Sequence, residues 1–529
     1  MSNAYLALVL HAHLPFVHHP EYERFLEEDW FYEAITETYV PLLLVCDRLR
    51  RDNVHFRLTM SLTPPLLEML SQPLLQRRYL NYLHKRHELA ERESNRRTRS
   101  DLERRIAQHY RDRFGEVESF FRARYGGNLV EAFKELQDEG YLDILGCTAT
   151  HGLLPLMKTY SAMRAQVAVG MATMQRHLGR RPRGIWLPEM AFRPGIDRIL
   201  REEGVEYFLV DGHGLLNAYP PPPTGVHAPL RCPSGVAAFG RDLESSKQVW
   251  SADSGYPGDG LYREFYRDLG YDADYEDIEP YLHDDGIRRN LGMKYHRVTG
   301  RVDLSQKGLY DREMAESKAR EHGGHFVFCR QHQARFLKSQ LGCNPLIVAP
   351  YDAELFGHWW YEGPEFLEQV FRTAQYTQDD FKLCTLREYL DRHPPETAGV
   401  PTSSSWGDKG YFEVWLNGSN DWIYRHLHMA EDRMIEMARM FGDAPPSPDT
   451  YAALNQAARE LLLAQSSDWA FLMTTGTAVP YAEKRTRNHI HRFTRLYQMI
   501  KSGNVSPSYV AGLHELNPVF RDVDYRLYL

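Results

Sequence analysis

Two acidic residues follow short apolar segments at widely separated places in this 529-residue sequence. Glu189 lies in WLPEMAF, and Asp352 lies in APYDAELFGHWW. Two carboxyl groups can catalyse glycosyl transfer or hydrolysis when one attacks the anomeric carbon and the other, held protonated, donates to the leaving oxygen. Either acid alone could equally be a helix cap or an ion-pair partner. The occurrence of both in aromatic-rich motifs favours the catalytic interpretation.

Two histidines follow the first apolar run of the chain. His11 and His13 lie in HAHLP, and residues two apart point to the same side of an extended strand. His-x-His is a known zinc-ligand spacing, and zinc here would indicate a metal-dependent sugar deacetylase. The sequence has neither an HExxH motif nor a cysteine cluster to complete such a ligand set. We therefore expect hydrogen bonds to sugar hydroxyls, with no metal and no other cofactor.

Aromatic residues make up 12% of the chain and cluster in polar, glycine-containing stretches. A single tryptophan in such a stretch could simply be core packing. Clusters interleaved with Gly, Ser, Asn and Asp instead suit a carbohydrate, because sugar CH faces stack on aromatic rings while polar side chains bind the hydroxyls. The stretches concerned are HWWYEGP (358–364), SSSWGDKGYFEVWLNGSNDW (403–422) and SSDWAFL (466–472).

Seven short apolar runs predict the strands that carry these residues. They are near-continuously hydrophobic and several are separated by amphipathic segments, which favours a parallel sheet buried on both faces and an α/β fold of the (β/α)7 barrel type. The runs are 5–10, 56–62, 142–148, 184–188, 206–211, 325–329 and 345–350. Polar residues follow nearly every run, and in a βα barrel such strand ends meet at the face that holds the active site. These residues are His11, His13, His151, Glu189, Asp211, His213, Arg330, Gln331, Asp352 and Glu354.

The chain outside these runs predicts two insertions and a second domain. Residues 71–124 are rich in Arg, Glu, Leu and Tyr, which predicts a helical insertion with a solvated, salt-bridged face. Residues 214–324 are rich in Gly, Pro and Asp and predict a loop-rich insertion. A linker at 393–405 would end a barrel domain spanning 1–400. Helical periodicity after it predicts an α-helical C-terminal domain, 401–529, that completes the site.

Composition and charge restrict the partners. The formal net charge of −8, from 63 basic and 71 acidic residues, gives no cationic surplus for a nucleic acid or an anionic membrane. The N-terminal apolar run has no basic segment before it and ends at His11, so we expect a strand rather than a signal peptide. Six scattered cysteines without a CxxC pair are typical of a cytoplasmic protein. No run approaches the roughly 18 apolar residues of a membrane helix.

Several of these motifs together resemble the signature regions of glycoside hydrolase family 57, specifically its branching-enzyme and AmyC-like members. They are HAHLP, TATHGLLP (148–155), WLPEMAF (186–192), PYDAELFGHWW (350–360) and the SNDW and SSDW stretches, in the family's order along the whole chain. The resemblance implies a (β/α)7 barrel and a retaining mechanism without a metal. It implies that Glu189 is the nucleophile and Asp352 the general acid/base.

The same resemblance implies further residues that contact the substrate. Tyr256, in SGYPGD, would lie at the tip of a mobile loop over the site. Tyr271 stands where we expect Trp in related branching enzymes and would contact the acceptor. Substrate-site roles are also implied for His11, His13, Trp30, His151, Cys232, Trp406, Trp415 and Asp468.

The reaction catalysed depends on what resolves a glycosyl-Glu189 intermediate. A 6-hydroxyl gives branching, water gives hydrolysis as in an α-amylase, and a 4-hydroxyl gives 4-α-glucanotransfer. The aromatic-rich C-terminal segment and the long SGYPGD loop favour transfer to a polymer, so we rank branching first, hydrolysis second and 4-α-transfer third. A non-catalytic glucan-binding protein is the alternative from another class, and the presence of both acids argues against it. The expected partner is an α-1,4-glucan, and the expected state is a monomer.

Overall fold

The computed structural model describes residues 3–251, 255–442 and 446–529, and both a barrel and a helical region lie within these ranges. The strands are β1 Ala4–Ala12, β2 Leu58–Leu62, β3 Leu142–Leu145, β4 Gly184–Ile185, β5 Tyr207–Val210, β6 Leu230–Arg231, β7 Ala237–Gly240, β8 Leu346–Asp352, β9 Phe381–Leu383 and β10 Thr397–Ala398.

The α-helices alternate with these strands in the first part of the chain and follow one another in the last part. They are α1 Glu28–Ala34, α2 Val40–Arg51, α3 Pro64–Leu70, α4 Pro73–Ser94, α5 Asp101–Ser119, α6 Leu129–Asp138, α7 Tyr160–Leu178, α8 Ile196–Glu202, α9 Gly212–Leu216, α10 Leu243–Trp250, α11 Leu269–Asp272, α12 Tyr275–Ile278, α13 Arg312–Leu341, α14 Gly363–Tyr376, α15 Leu386–Arg392, α16 Trp422–Met440, α17 Pro448–Ala464, α18 Ser467–Thr475, α19 Val479–Ser502 and α20 Pro507–Leu516. None of the helices in the described ranges is long and apolar enough to cross a membrane.

Seven parallel strands close into a barrel, in the order β1, β2, β3, β4, β5, β7, β8 and back to β1. Ladders join β1 to β2 and β8, β2 to β3, β4 to β5, and β5 to β7. Backbone hydrogen bonds join the two remaining edges, from Gly146 to Gly184 after β3 and from Asp242 to Val348 after β7. Every residue of β1 is buried, as expected for a strand covered on both faces. The predicted (β/α)7 barrel is confirmed.

Six of the seven predicted strands are present, and the prediction at 325–329 is wrong. That HFVFC run lies inside α13, a continuous helix of 30 residues, where Phe326 and Val327 are buried while Phe328 is exposed. A five-residue apolar run cannot by itself distinguish a buried strand from one side of a helix. Arg330 and Gln331, predicted at a strand end, are therefore helical. The barrel strand in this position is β7, which pairs with β5.

The predicted insertions and linker contain more regular structure than their composition indicates. Residues 71–124 form α4, α5 and a short π-helix. The 214–324 segment includes β7, so it is not an insertion throughout. The 393–405 segment is not a free linker, because its backbone pairs with residues that follow the barrel strands: Val400 with Tyr219, and Ser404 with Phe192.

The C-terminal helices dock on the loop that follows β3. Ser467, at the start of α18, donates its backbone N–H to the His151 carbonyl, and Ser466 forms a bridge with Gly152. The Thr150 hydroxyl donates to the Leu462 carbonyl at 2.5 Å. These contacts fix the start of α18 against the C-terminal face of the barrel, where the candidate site lies.

Candidate active site

A cavity of about 750 Å³ opens at the C-terminal ends of the barrel strands. Its size is typical of a site for a small ligand or for a few sugar units. Its lining combines carboxylates, histidines and aromatic rings: His11, His13, Leu14, Pro15, Trp30, Glu33, Ala34, His151, Glu189, Arg241, Trp250, Asp352, Glu354, His358, Trp359, Trp406, Gly407, Asp408, Val414, Trp415, Asp468, Phe471, Leu472 and Thr477.

Glu189 is held in an unusual backbone conformation just after β4. Its φ of 59° and ψ of 21° lie in the left-handed region, which non-glycine residues rarely occupy. His151, its neighbour across the site, also has a positive φ of 56°. Such conformations occur where the surrounding structure imposes them, and they are concentrated at functional sites. Here the Trp406 N–H, which donates to the Glu189 carbonyl at 3.0 Å, is one such constraint.

The Glu189 carboxylate has one strong hydrogen bond. The indole Nε1 of Trp406 donates to Oε2 at 2.8 Å, and His151 Nδ1 lies 3.7 Å from Oε1. Burial raises the pKa of Glu189 to about 7, while the Trp406 bond acts in the opposite direction. A hydrogen bond to the charged form stabilises the carboxylate.

Asp352 ends β8 opposite the β1 histidine His11, its partner in the ladder. Burial raises the pKa of Asp352 well above its usual range, and the charges of Glu354 and Glu189 reinforce this effect. Arg241, which also lines the cavity, acts in the opposite direction. Because the pKa of Asp352 is displaced strongly upward, this carboxyl group is suited to carry a proton while Glu189 is ionised.

Three histidines and Asp468 form the polar floor of the cavity. His13 Nε2 lies 3.0 Å from an Asp468 oxygen, and His11 Nε2 lies 3.0 Å from His151 Nε2. Although burial alone would lower the pKa of His13, the Asp468 carboxylate raises it above its usual value. Burial, reinforced by the charge on His13, lowers the pKa of both His11 and His151. The cluster thus combines a His13–Asp468 pair, in which the charged form of His13 is favoured, with two imidazoles whose neutral forms are favoured.

His13, His151 and Asp468 are also the group in the described ranges whose ligand atoms come close enough to suit a metal, all within 4.8 Å. The orientation of the rings does not suit one. The His13 and His151 rings are stacked, with centroids 3.8 Å apart and planes inclined by only 19°. The nitrogen lone pairs lie in the ring planes, so those of two nearly parallel stacked rings do not converge on one ion.

Activity is therefore expected to be unchanged by EDTA, and purified protein is expected to carry no stoichiometric metal. The physical reason is the stacked geometry, together with the ion pair that already satisfies Asp468. Elemental analysis and assays before and after chelation measure both. About one zinc per chain, with activity lost on its removal and restored on its addition, would contradict this expectation.

The cavity brings together most of the residues singled out in the sequence. His11, His13, Trp30, His151, Glu189, Asp352, Trp406, Trp415 and Asp468 all line it. Cys232, Tyr256 and Tyr271 are not among its lining residues. Cys232 is buried in a hydrophobic cluster after β6, where its N–H donates to the Val236 carbonyl, and Tyr271 is a largely exposed residue of α11. The geometry does not support substrate contacts for these three residues.

The expected position of Tyr256 at a loop tip is wrong. Ser254, where the expected loop begins, lies outside the described residues. Tyr256 begins a short 3₁₀ turn and is only 7% exposed. Its ring stacks on His322 of α13 with centroids 4.5 Å apart, and its hydroxyl contacts Gln248 at 2.6 Å and His325 at 2.9 Å. Glycine and proline correctly indicated a turn, but this ring packs inward.

Replacing Tyr256 by Ala is therefore expected to destabilise the fold, by about 3 kcal/mol, as removal of a buried aromatic side chain commonly does. The ratio of transfer to hydrolysis is expected to stay unchanged. Thermal or denaturant unfolding measures the first quantity, and product analysis at a temperature where the variant is folded measures the second. The exposed Tyr271, changed to Ala, is the matched control for stability. Unchanged stability with a shift toward hydrolysis would instead support the expected position of Tyr256 on a mobile loop over the site.

Sequence reasoning missed several lining residues, of which Arg241 is the clearest. It follows β7, the strand whose sequence gave no apolar run, so its place at a strand end was not recognised. Arg241 donates to Asp211 at 3.1 Å, and Asp211 also contacts Nδ1 of His213 at 3.0 Å. His213 Nε2 in turn donates to the carbonyl of Gly410, at 2.8 Å. Asp211 and His213 thus support the cavity from behind instead of lining it.

Comparisons with known proteins agree with this geometry. The model of glycosyl hydrolase family 57 matches residues 7–401, and the model described as 1,4-alpha-glucan branching enzyme, C-terminal, matches residues 426–528. The chain is 33% identical to the 1,4-alpha-glucan branching enzyme TK1436 of Thermococcus kodakarensis, over 98% of this chain and 78% of that protein.

Two solved structures are similar over nearly their whole length. The alpha-amylase AmyC of Thermotoga maritima superposes with a TM-score of 0.93 at 45% identity, covering 100% of this chain and 99% of that one. The GH57-type branching enzyme of Pyrococcus horikoshii superposes with a TM-score of 0.89 at 32% identity, covering 99% and 97%. With the barrel, the paired acids and the matching family model, this chain belongs to glycosyl hydrolase family 57.

Proposed function

We propose that this chain is a retaining 1,4-α-glucan branching enzyme, with Glu189 as nucleophile and Asp352 as general acid/base. The observation that carries the mechanism is the pairing of the two acids in one cavity with different environments. Trp406 donates to Glu189, while burial and neighbouring carboxylates favour the protonated form of Asp352. The similarity of residues 426–528 to the branching-enzyme C-terminal model supports the choice of reaction.

The reaction would proceed in two displacements. The Glu189 carboxylate attacks the anomeric carbon of an α-1,4-linked glucosyl unit, and the bond to the leaving 4-oxygen breaks as Asp352 gives that oxygen its proton. The product is a glycosyl ester of Glu189 and a shortened chain with a free 4-hydroxyl. Asp352, now a carboxylate, removes the proton from an acceptor 6-hydroxyl, whose oxygen attacks the anomeric carbon and releases Glu189. One α-1,4 bond is exchanged for one α-1,6 bond with retained configuration.

The floor of the cavity would bind the transferred sugar. The stacked His13 and His151 rings and the Asp468 carboxylate offer both donors and acceptors to hydroxyl groups, and the Trp415 ring offers a face for stacking. We propose these contacts, with Trp30, His11 and Trp406, as the substrate-binding set. The first 400 residues and the helical segment 401–529 would act as two domains of one site, since Trp406, Trp415 and Asp468 come from the second.

Hydrolysis is the second candidate, because the 45% identity and full coverage shared with the alpha-amylase AmyC exceed the similarity to the branching enzymes compared above. Both reactions use the same two acids and differ in the group that resolves the intermediate.

Incubation with linear amylose separates the candidates. Branching would lower iodine staining while the number of reducing ends stays nearly constant. Later treatment with a debranching enzyme would then release new short chains. Reducing ends that increase without debranching products would favour the amylase. Longer linear chains without branches would indicate 4-α-transfer.

We further propose that the enzyme acts as a monomer in the cytoplasm, on glycogen-like polymer. The support for the cytoplasmic location is chemical: the six cysteines are all free thiols in the structure, as is typical of proteins in a reducing compartment. Size-exclusion chromatography with light scattering tests the monomeric state against the chain mass of 61.6 kDa.

A further inference from the structure

Among the carboxylates that line the cavity, Glu33 takes no part in the two displacements. Glu33, in the last turn of α1, lines the cavity and is half-buried. Its carboxylate forms no hydrogen bond or ion pair with any residue in the described ranges. Burial raises the pKa of Glu33 to about 7, with the charge on His358 opposing that shift. A partly buried acid directed into a ligand cavity without a protein partner is available to a ligand.

His358, also in the lining, is held in position from behind. Its Nδ1 donates to Glu37 at 2.8 Å, and its backbone carbonyl accepts from Arg263 at 3.2 Å. Although burial alone would lower the pKa of His358, its bond to Glu37 raises it. Nδ1 is thus occupied by Glu37, and Nε2 remains available to a ligand.

A close approach of two segments makes this arrangement possible. Gly357 has a φ of 118°, and a Cβ at this position would lie 1.8 Å from the Glu37 carbonyl oxygen. Only glycine lets the loop after β8 come this close to the π-helix Ile35–Tyr39, which carries Glu37. The backbone thus holds His358 against Glu37, which follows Glu33 by one helical turn, so that the charges of Glu33 and His358 interact.

The loop that carries His358 indicates on which side of the cavity Glu33 and His358 lie. A general acid protonates the leaving oxygen, so Asp352 faces the leaving-group side, where the acceptor later enters. His358 and Trp359 belong to the same loop as Asp352. Glu189 instead has its contacts with Trp406 and His151, which belong to other segments of the lining.

We propose that Glu33 and His358 bind an acceptor glucosyl residue through neighbouring hydroxyl groups, with the Glu33 carboxylate accepting from one hydroxyl and His358 Nε2 bonding to the next. This inference rests on the proposed function. The rings of Trp250 and Trp359, with centroids 6.3 Å apart, line the same cavity and offer faces on which the acceptor sugars stack.

An activated donor separates the two halves of the reaction. With α-maltoheptaosyl fluoride, the glycosyl-enzyme forms as fluoride leaves, without any sugar on the leaving-group side. Fluoride release then reports on the donor side. The fraction of glycosyl groups transferred to added maltoheptaose, measured against the maltoheptaose concentration, reports on acceptor binding.

In Glu33→Gln, fluoride release without acceptor is expected to stay within about twofold of wild type. The maltoheptaose concentration that gives half-maximal transfer is expected to rise about tenfold, as for loss of one hydrogen bond to a charged group. His358→Gln is expected to behave alike. Glu27→Gln, the same change one residue before α1 and outside the lining, is expected to match wild type. Glu33→Asp provides a second variant if Glu33→Gln does not fold.

Three outcomes would overturn the inference. An unchanged acceptor dependence in both Glu33→Gln and His358→Gln would show that the pair does not bind the acceptor. A more than tenfold loss of fluoride release in Glu33→Gln would place Glu33 on the donor side. A wild-type enzyme that releases fluoride but forms no transfer product at any acceptor concentration would remove the proposed branching function, and this inference with it.

Discussion

Glu189→Gln and Asp352→Asn are each expected to retain less than about one hundredth of the wild-type kcat, a loss greater than about 2.7 kcal/mol in transition-state stabilisation. The amide of Gln cannot serve as the nucleophile, and the amide of Asn cannot exchange a proton with the glycosidic oxygen. Folding is expected to survive. Burial disfavours the charged form of both carboxyl groups, so a neutral amide of the same shape is tolerated at either position. Steady-state assays on amylose and thermal unfolding measure the two quantities.

Azide distinguishes the two roles. With an α-glycosyl fluoride, Glu189→Ala is expected to give a β-glycosyl azide, because azide attacks from the face that the carboxylate has vacated. Asp352→Ala still forms the glycosyl-enzyme, because fluoride leaves without protonation. Azide then displaces Glu189 to give the α-azide. Exposed Glu202→Gln is the matched control for the amide change. A kcat above one hundredth of wild type in Glu189→Gln or Asp352→Asn would contradict the assignment. Azide products of the opposite configuration in the two Ala variants would contradict it as well.

The sequence predicts those parts of the structure that depend on neighbouring residues better than those that depend on contacts between distant segments. The positions of Glu189 and Asp352 are predictable from the sequence because Asp352 ends β8 and Glu189 lies only a few residues beyond β4, so one local pattern supplies both the element and the acid. β7 was missed because its sequence, AAFG, has small residues where a typical strand has branched ones. The HFVFC segment was misassigned because its apolar content is high, although Phe328 is exposed on α13.

Contacts between distant segments have no local signal. Trp406 reaches Glu189 because the 393–405 segment pairs across the top of the barrel, and Asp468 reaches His13 because α18 docks beside His151. Their inclusion came from family resemblance rather than from periodicity. For Tyr256 the resemblance led to the wrong position, because turn chemistry does not determine whether a ring packs inward against α13. The acceptor-side pair Glu33 and His358 depends on the close approach at Gly357, which is likewise visible only in three dimensions.

The hydrogen bond between Trp406 and Glu189 leads to a second large effect, on pH dependence. Trp406 Nε1 donates to the carboxylate at 2.8 Å and favours its ionised form. In Trp406→Phe this stabilisation is lost, so the pKa of Glu189 is expected to rise further from its value of about 7. Because the nucleophile must be ionised, the acid limb of kcat/KM is expected to move to higher pH by about one unit.

The sign of that shift distinguishes an electrostatic role from a packing role. Well below pH 7, Trp406→Phe is expected to lose about tenfold more activity than it loses at pH 9, where Glu189 is ionised with or without the bond. Trp415→Phe is the matched control, since Trp415 lines the same cavity and its buried Nε1 has no partner among the described residues. It should lower kcat/KM equally at all pH values. If the acid limb of Trp406→Phe coincides with that of Trp415→Phe, Trp406 acts by stacking alone. The ionisation of Glu189 must then be maintained by other groups, such as His13, whose charge also lowers the pKa of Glu189.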